Sequence, residues 1–485
     1  MTGPPFCGLN SALMFIYKRA SHLVQTPLQG SVKFIVFGIL LLLSTRAFAL
    51  SPRYDLGFET QFYGNRVNPS LFPVLSAGMK FNSESEDATS DDHDQNEYAG
   101  DLKFQISPSH PRAFEISSRN LYWGEKDQSY ESPLRFTFGR RLIGWTKLDE
   151  LWGQGQFEPI DSWDRLRSFS QGLTGVFAYT ETQKFNFRIF LSGIAFPETS
   201  PNVVIEDDHF AAEHPQAVTS APQTFTLLNR ATPLGYKIDI PSIAKILFRP
   251  SFAFMMETKR EIPFFGKFVY GYLPLNYFPI ALEASLAIPL DQIVVNLKPR
   301  LIHHHLYDAE VAYRYDNSLQ FGLIALVDQP VPDAIPADYT TTPLSSSISW
   351  SPWVQYEIKQ SKIILSQIWV FGGLESDVGP YADPNSSIFS SRILYRNATQ
   401  LAFKTTLGTT NPHAPSLILK YIHEYSIKGD WLAGDFNYKL KSNVLLIAGA
   451  DILSSFRDVS PDKGAEFLAD MRPLGRIRLG VNYAF

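Results

Sequence analysis

The chain has 485 residues, a formal net charge of −5 and one cysteine, Cys7, so it can form no disulfide within itself and offers no basic face for nucleic acid. Its aromatic content is 14%, yet its mean hydropathy is −0.09, which excludes a helical membrane protein while giving more ring surface than most soluble chains carry. It contains no G-x-S-x-G elbow, H-E-x-x-H pair or G-x-x-x-x-G-K-[ST] loop, which removes the usual hydrolase, metalloprotease and nucleotide-binding signatures.

In chain order, Lys33 precedes a short apolar run, Phe34 to Leu43, and Ala47-Phe48-Ala49 follows it. This is the pattern of a signal peptide over residues 1–49 with an A-x-A cleavage site, residues 1–30 being an extension too long for its n-region. The run is too short for a spanning helix, which needs about 20 apolar residues. Residues 50–485 form the mature segment, and Cys7 lies ahead of it.

From Tyr54 onward, segments of alternating polarity recur. They include Tyr54–Tyr63, Tyr98–Ile106, Phe114–Trp123, Leu134–Arg140, Leu173–Thr180, Phe185–Ile194, Ile246–Glu257, Phe265–Leu273, Ile280–Ile288, Ile293–Ile302, Leu319–Val327, Ile363–Phe371, Gln400–Leu407, Leu417–Tyr425 and Val444–Leu453. In the clearest cases Ile348, Trp350, Val354, Tyr356 and Ile358 oppose Ser347, Ser349, Ser351, Gln355, Glu357 and Lys359. Leu432, Phe436 and Leu440 likewise oppose Asp435, Asn437, Lys439 and Lys441. Apolar residues facing lipid and polar ones facing a wet lumen would produce both the pattern and the neutral hydropathy. Phe248, Phe252, Phe254, Phe264, Phe265, Phe268 and Tyr270 are too dense for one face; a subunit contact, a lipid girdle and a greasy lumen wall all fit them.

Three segments stand apart from the strands. Ser83–Glu97 is acidic and nearly free of apolar residues, the composition of a solvated loop. Counting strands from a periplasmic N-terminus puts it on the periplasmic side and Ile143–Gly172 outside, but a one-strand error exchanges them. His303-His304-His305 lacks a third nearby ligand and reads as a polar strand end rather than a metal site. Ile143–Gly172 combines Trp145, Trp152 and Trp163 with both signs of charge, between strands ending at Arg141 and beginning at Leu173.

The last segment, Arg476 to Phe485, alternates strictly: Ile477, Leu479, Val481, Tyr483 and Phe485 on one face, Arg476, Arg478 and Asn482 on the other. It resembles the closing strand of bacterial outer-membrane β-barrels, whose terminal Phe is read by the barrel-assembly machinery. The resemblance implies an all-β fold, a transmembrane antiparallel barrel of about 18 strands within a range of about 16 to 22. It further implies a Gram-negative outer-membrane location amid lipid and lipopolysaccharide, and porin-like passage of small hydrophilic solutes without reaction or cofactor. In porins a long excursion folds inward and narrows the lumen. On that resemblance Arg140, Arg141, Asp149, Glu150, Asp161, Asp164, Arg165 and Arg167 are the pore-lining candidates. A plugged barrel for apolar compounds and a structural or adhesive surface barrel are the alternatives, and both a monomer and a homo-trimer are compatible.

Overall fold

The computed structural model describes residues 52–64, 70–82, 96–125, 133–200, 203–212, 214–216, 223–227, 229–259, 263–287, 292–334, 337–373, 378–380, 392–408, 414–455 and 467–485. The expected signal peptide, and most of the acidic segment 83–97, lie outside these residues.

Alternation closes into a barrel. The staves are β1 (Arg53–Tyr63), β2 (Ser70–Asn82), β3 (Asn96–Ser107), β4 (His110–Ser117 continued by Leu121–Glu125), β5 (Leu134–Arg141) and β6 (Leu173–Glu181). They continue as β7 (Phe185–Ser192), β8 (Ser251–Thr258), β9 (Phe264–Pro274), β10 (His303–Arg314), β11 (Leu319–Pro330) and β12 (Ser347–Ile358). The last six are β13 (Ser361–Gly372), β14 (Asn397–Thr406), β15 (Ser416–Glu424), β16 (Gly429–Lys441), β17 (Val444–Ser455) and β18 (Arg476–Ala484). Each pairs antiparallel with the next, and β1 pairs with β18 from Asp55↔Ala484 to Tyr63↔Arg476, so the 18-strand sheet has no open edge. Closure satisfies the backbone groups that an open sheet would leave bare in hydrocarbon. Tyr54 and Phe485 exchange both backbone hydrogen bonds at the seam (3.0 and 2.9 Å), with their rings stacked at 5.8 Å.

The two faces differ as the alternation implies. Leu56, Phe58, Ile348, Trp350, Leu432, Leu479 and Phe485 are exposed on the exterior, while Ser349, Ser351, Gln355, Arg476 and Arg478 are buried within the lumen. Phe264 and Phe268 are on the exterior, and Phe252 meets Tyr270 across strands with tilted rings at 6.0 Å. Among the described residues no helix is long and apolar enough to cross a membrane.

The strand count agrees with expectation because two errors offset each other. Ile280–Ala287 and Gln292–Pro299 are strands but not staves; with Thr224–Leu227, Arg230–Ile238 and Thr340–Thr341 they form a separate five-stranded sheet around Leu234, Tyr236, Leu282, Val295 and Leu297. Two true staves, β2 and β10, escape the alternation pattern. In β2 the inward Phe72 and Val74 pack against material inside the barrel, so both faces are apolar; in β10 the three histidines blur the pattern that Asp308 and Glu310 set against Tyr307 and Val311.

Strand direction sorts the connections between the two rims. β2 ends and β3 begins at the rim where β1 starts and β18 ends, and there β12–β13 and β16–β17 turn through only Lys359-Gln360 and Ser442-Asn443. Lys359 takes the positive φ of 52° that a two-residue hairpin favours. The connection 142–172 starts from the opposite rim, with the other long connections.

Candidate functional site in the lumen

The connection between β5 and β6 folds into the barrel. Its entry is tied by Glu158, whose carboxylate accepts from Ile143 N (2.9 Å) and Gly144 N (3.1 Å). Thr146 caps a helical turn, Lys147–Trp152: its hydroxyl accepts from Leu148 N at 3.1 Å and donates to Asp308 on the wall at 2.8 Å. Gly153 ends the turn in the left-handed region at φ 62°. Asp149 then accepts from Gln156 N (3.0 Å) and Phe157 N (2.9 Å), which reverses the chain.

Apolar packing holds this fold in place. Trp145, Leu148 and Phe157 are completely buried, Trp145 stacks on Phe157 at 6.5 Å, and Trp152 donates its indole N–H to Ser351 on the wall at 3.0 Å. Other connections join the same cluster: Tyr395 ahead of β14, and Phe467, Leu468 and Met471 ahead of β18. Gln216, from the connection after β7, donates to Tyr63 OH (3.1 Å) and Asp164 (3.0 Å).

The polar side of the excursion meets the barrel seam. Asp164 caps the short turn Arg165–Arg167 and accepts two bonds from Arg476 (2.7 and 2.8 Å). Arg476 also donates to Asp451 (2.9 Å) and Gln61 (2.8 Å). Arg167 pairs with Asp451 at 2.6 Å and Asp435 at 3.2 Å, and Arg478 joins Asp435 to Glu59, the latter at 3.3 Å. Burial opposes ionisation of Asp164, but the Arg476 and Arg478 guanidiniums override it and hold that carboxyl well below the usual range. No guanidinium offsets burial at Asp149 or Glu158, and burial pushes them up to about 6 and about 7, Lys267 acting only weakly against it at Glu158.

The eight sequence candidates divide into two groups. Asp149, Glu150, Arg165 and Arg167 line a cavity of about 630 Å³ beside the excursion, together with Lys420, Asp435, Trp431, Tyr395 and Phe467. Glu150 is exposed to it and pairs with Lys147 at 2.6 Å; the Arg165 guanidinium sits 5.6 Å over the Phe467 ring. The other four bind structure to structure. Arg140 donates to Ser118 O, Gln171 and Thr174 at 2.9 to 3.1 Å, and Arg141 stacks on Tyr122 at 4.9 Å and donates to Thr137 at 2.9 Å. Asp161 is buried and accepts from Trp163 N at 3.2 Å, and Asp164 is the partner of Arg476.

Lys420 was within reach of sequence, since it holds the inward parity between Leu419 and Tyr421, and Asp451 was so within Val444–Leu453. Gln216 carries no local signal, because it belongs to a long connection whose path only tertiary packing decides. His303 and His305 face outward, His303 stacked on Tyr272 at 4.9 Å and His305 tilted against it at 5.1 Å, whereas His304 turns inward to Asp328 at 2.9 Å. Among the described residues no cluster could hold a metal ion.

No family model matches the chain, and no curated protein matches it. Solved structures similar to it include Pseudomonas aeruginosa OccK11 (OpdR), 11% identical over 90% of this chain and 96% of that one at a TM-score of 0.45. Acinetobacter baumannii OccAB4 is 10% identical over 90% and 97% at 0.43. Pseudomonas aeruginosa OccK2 (OpdF), solved in complex with glucuronate, is 8% identical over 90% and 98% at 0.47.

Proposed function

We propose that this barrel is a porin-like channel of the Gram-negative outer membrane for passive diffusion of small hydrophilic solutes, with residues 143–172 as its constriction. The observation that carries the reading is the opposed array inside the wall. Arg167, Arg476 and Arg478 face Glu59, Asp164, Asp435 and Asp451 within an exterior that is apolar. Fixed charges of both signs bordering a narrow lumen order water and filter solutes by charge and size. In this reading Asp149, Glu150, Arg165 and Arg167 touch the solute path, while Arg140, Arg141, Asp161 and Asp164 fix the segment that narrows it. The reading assigns no reaction and no cofactor. Its partners are outer-membrane lipid and lipopolysaccharide, the barrel-assembly machinery through Phe485, and, in one arrangement, two further copies of the chain.

A second reading has its own support. The apolar cluster of Trp145, Trp152, Phe157, Tyr395 and Phe467 occupies the lumen and fits a plugged barrel. Single-channel recording of the refolded mature chain in a planar bilayer separates the two. Stable steps of fixed size are expected for the channel; silence from a protein that migrates as folded, heat-modifiable sheet supports the plug and removes the channel.

A further inference from the structure

The connection between β7 and β8 holds apolar side chains that pack neither in the lumen nor in the core of the five-stranded sheet. Ile238 ends a strand of that sheet, Ser242 caps a single helical turn, Ile243–Leu247, and Phe248 follows it, three residues before β8 begins. Ile240 and Phe248 are each 67% exposed, Ile243 is 55% and Ile238 is 43%. Lys237 and Lys245 stand exposed among them. Four bulky apolar side chains within so short a stretch gain nothing from water, at about 25 cal/mol per Å² of apolar surface left uncovered.

Two observations bear on what covers the segment. First, it is continuous with the apolar wall: Ile189, Leu191, Ile194 and Phe196 run exposed up β7 and past its end, and Ala195 N donates to Leu247 O at 2.8 Å. Second, its C-terminal end adjoins a group of polar-tipped rings on the exterior. His303 stacks on Tyr272 at 4.9 Å with planes 7° apart, His305 lies 3.0 Å from the Tyr270 hydroxyl, and His303 Nε2 is 3.1 Å from Pro250 O, two residues beyond Phe248. Such rings mark the headgroup level of a bilayer. A short apolar turn flanked by lysines at that level has the make-up of an interfacial anchor.

We propose that Ile238–Phe248 is a membrane-interface anchor, with Ile240, Ile243 and Phe248 seated at the acyl boundary of the leaflet on the long-connection side and Lys237 and Lys245 among its headgroups. Its occupant is bilayer lipid. Because the strand Arg230–Ile238 runs straight into it, the anchor pins the five-stranded sheet beside the barrel mouth. The proposal requires only that the barrel spans a bilayer and holds whether or not the lumen conducts.

Single cysteines at Ile240, Ile243 and Phe248, carrying an environment-sensitive fluorophore in the mature chain, test it in phosphatidylcholine vesicles with a doxyl group near the headgroup or near the acyl terminus. Thr226→Cys, on the sheet strand Thr224–Leu227, is the control. Thr226 pairs with Ala231, about 23 Å along the neighbouring strand from Ile238 at roughly 3.3 Å per residue. Heat-modifiable migration verifies that each variant is folded. The expected result is a blue shift at the three positions and quenching that is stronger from the shallow doxyl group, with neither at Thr226. Unshifted, unquenched emission at all three positions overturns the anchor. So does a shift that ignores doxyl lipid but grows with protein density, since a second copy would then cover the segment.

Discussion

Arg476 shows what one lumen side chain does for this protein. It is 3% exposed, and carboxylates from the excursion and from β17, with Gln61 on β1, receive its donors. Asp164→Ala leaves its bidentate face without an acceptor in a place water reaches poorly. The expected loss is about 3 kcal/mol, the upper end for hydrogen bonds to a charged group, read as a lower urea midpoint of the refolded barrel. Asp164→Asn keeps one acceptor oxygen and should lose less. The carboxyls of Asp149 and Glu158 act in the opposite sense with pH. Burial raises them to about 6 and about 7 from ordinary values of 3.8 and 4.5. Each therefore contributes stability that is complete below its ordinary value and is lost as pH climbs through its raised one. Asp164, held low, loses its contribution only as pH falls below its ordinary value of 3.8. The thermal midpoint should accordingly rise as pH is lowered from about 7.5 to about 5, and the rise should shrink in Glu158→Gln. A midpoint flat across that interval would contradict the assignment.

At the scale of the element, β4 shows how one residue re-aims a strand. Its pairing with β3 runs Lys103↔Ser117 and then Gly100↔Leu121, so one extra residue is inserted, and the exterior passes from Phe114 and Ile116 to Leu121 and Trp123. Asp101 holds this bulge by accepting from Arg119 N and Asn120 N at 2.6 and 3.0 Å. Opposite it, Gly139 adopts φ 120°, and a Cβ there would overlap the Leu121 carbonyl oxygen and lie 2.9 Å from Tyr122 Cα. Gly139→Ala should cost about 1–3 kcal/mol from backbone strain alone and lower refolding yield. Gly434→Ala meets only the movable Leu419 side chain at 3.3 Å and should be mild, so equal yields for the two would argue against a rigid bulge. The alternating strands on either side were legible because each side chain answers to one face. The bulge was not: within Phe114–Trp123 both parities are well filled, and only pairing to β3 shows where the phase changes. β2 was hidden for a related reason, since its inward Phe72 faces Trp163 and His214 rather than water.

For the whole molecule, the wall was readable and its contents were not, because a lumen filled by distant connections obeys no local period. The tryptophan-rich excursion drew attention through composition, yet which of its charges meet solvent depends on partners such as Asp451, Arg476 and Gln216, up to several hundred residues away. That partnership makes a graded prediction about conduction. Arg167 is shared between Asp435 and Asp451, so Arg167→Gln leaves two lumen carboxylates with one cation fewer. Arg165 makes its close approach to the Phe467 ring, with Asp470 and Glu198 acting on it through space, and its loss uncovers less negative charge beside the cavity. In a salt gradient across a planar bilayer, both variants should move the reversal potential toward cation selectivity, Arg167→Gln further. Both shifts should grow as salt is diluted, because the Debye length lengthens from about 10 Å at 0.1 M to about 30 Å at 0.01 M. An unchanged reversal potential in both, with unitary conductance also unchanged, would place the excursion off the conduction path even in a protein that conducts. The reverse order, with Arg165 dominant, would keep the excursion in the path but locate its narrowest point at the Phe467 side of the cavity rather than at the seam.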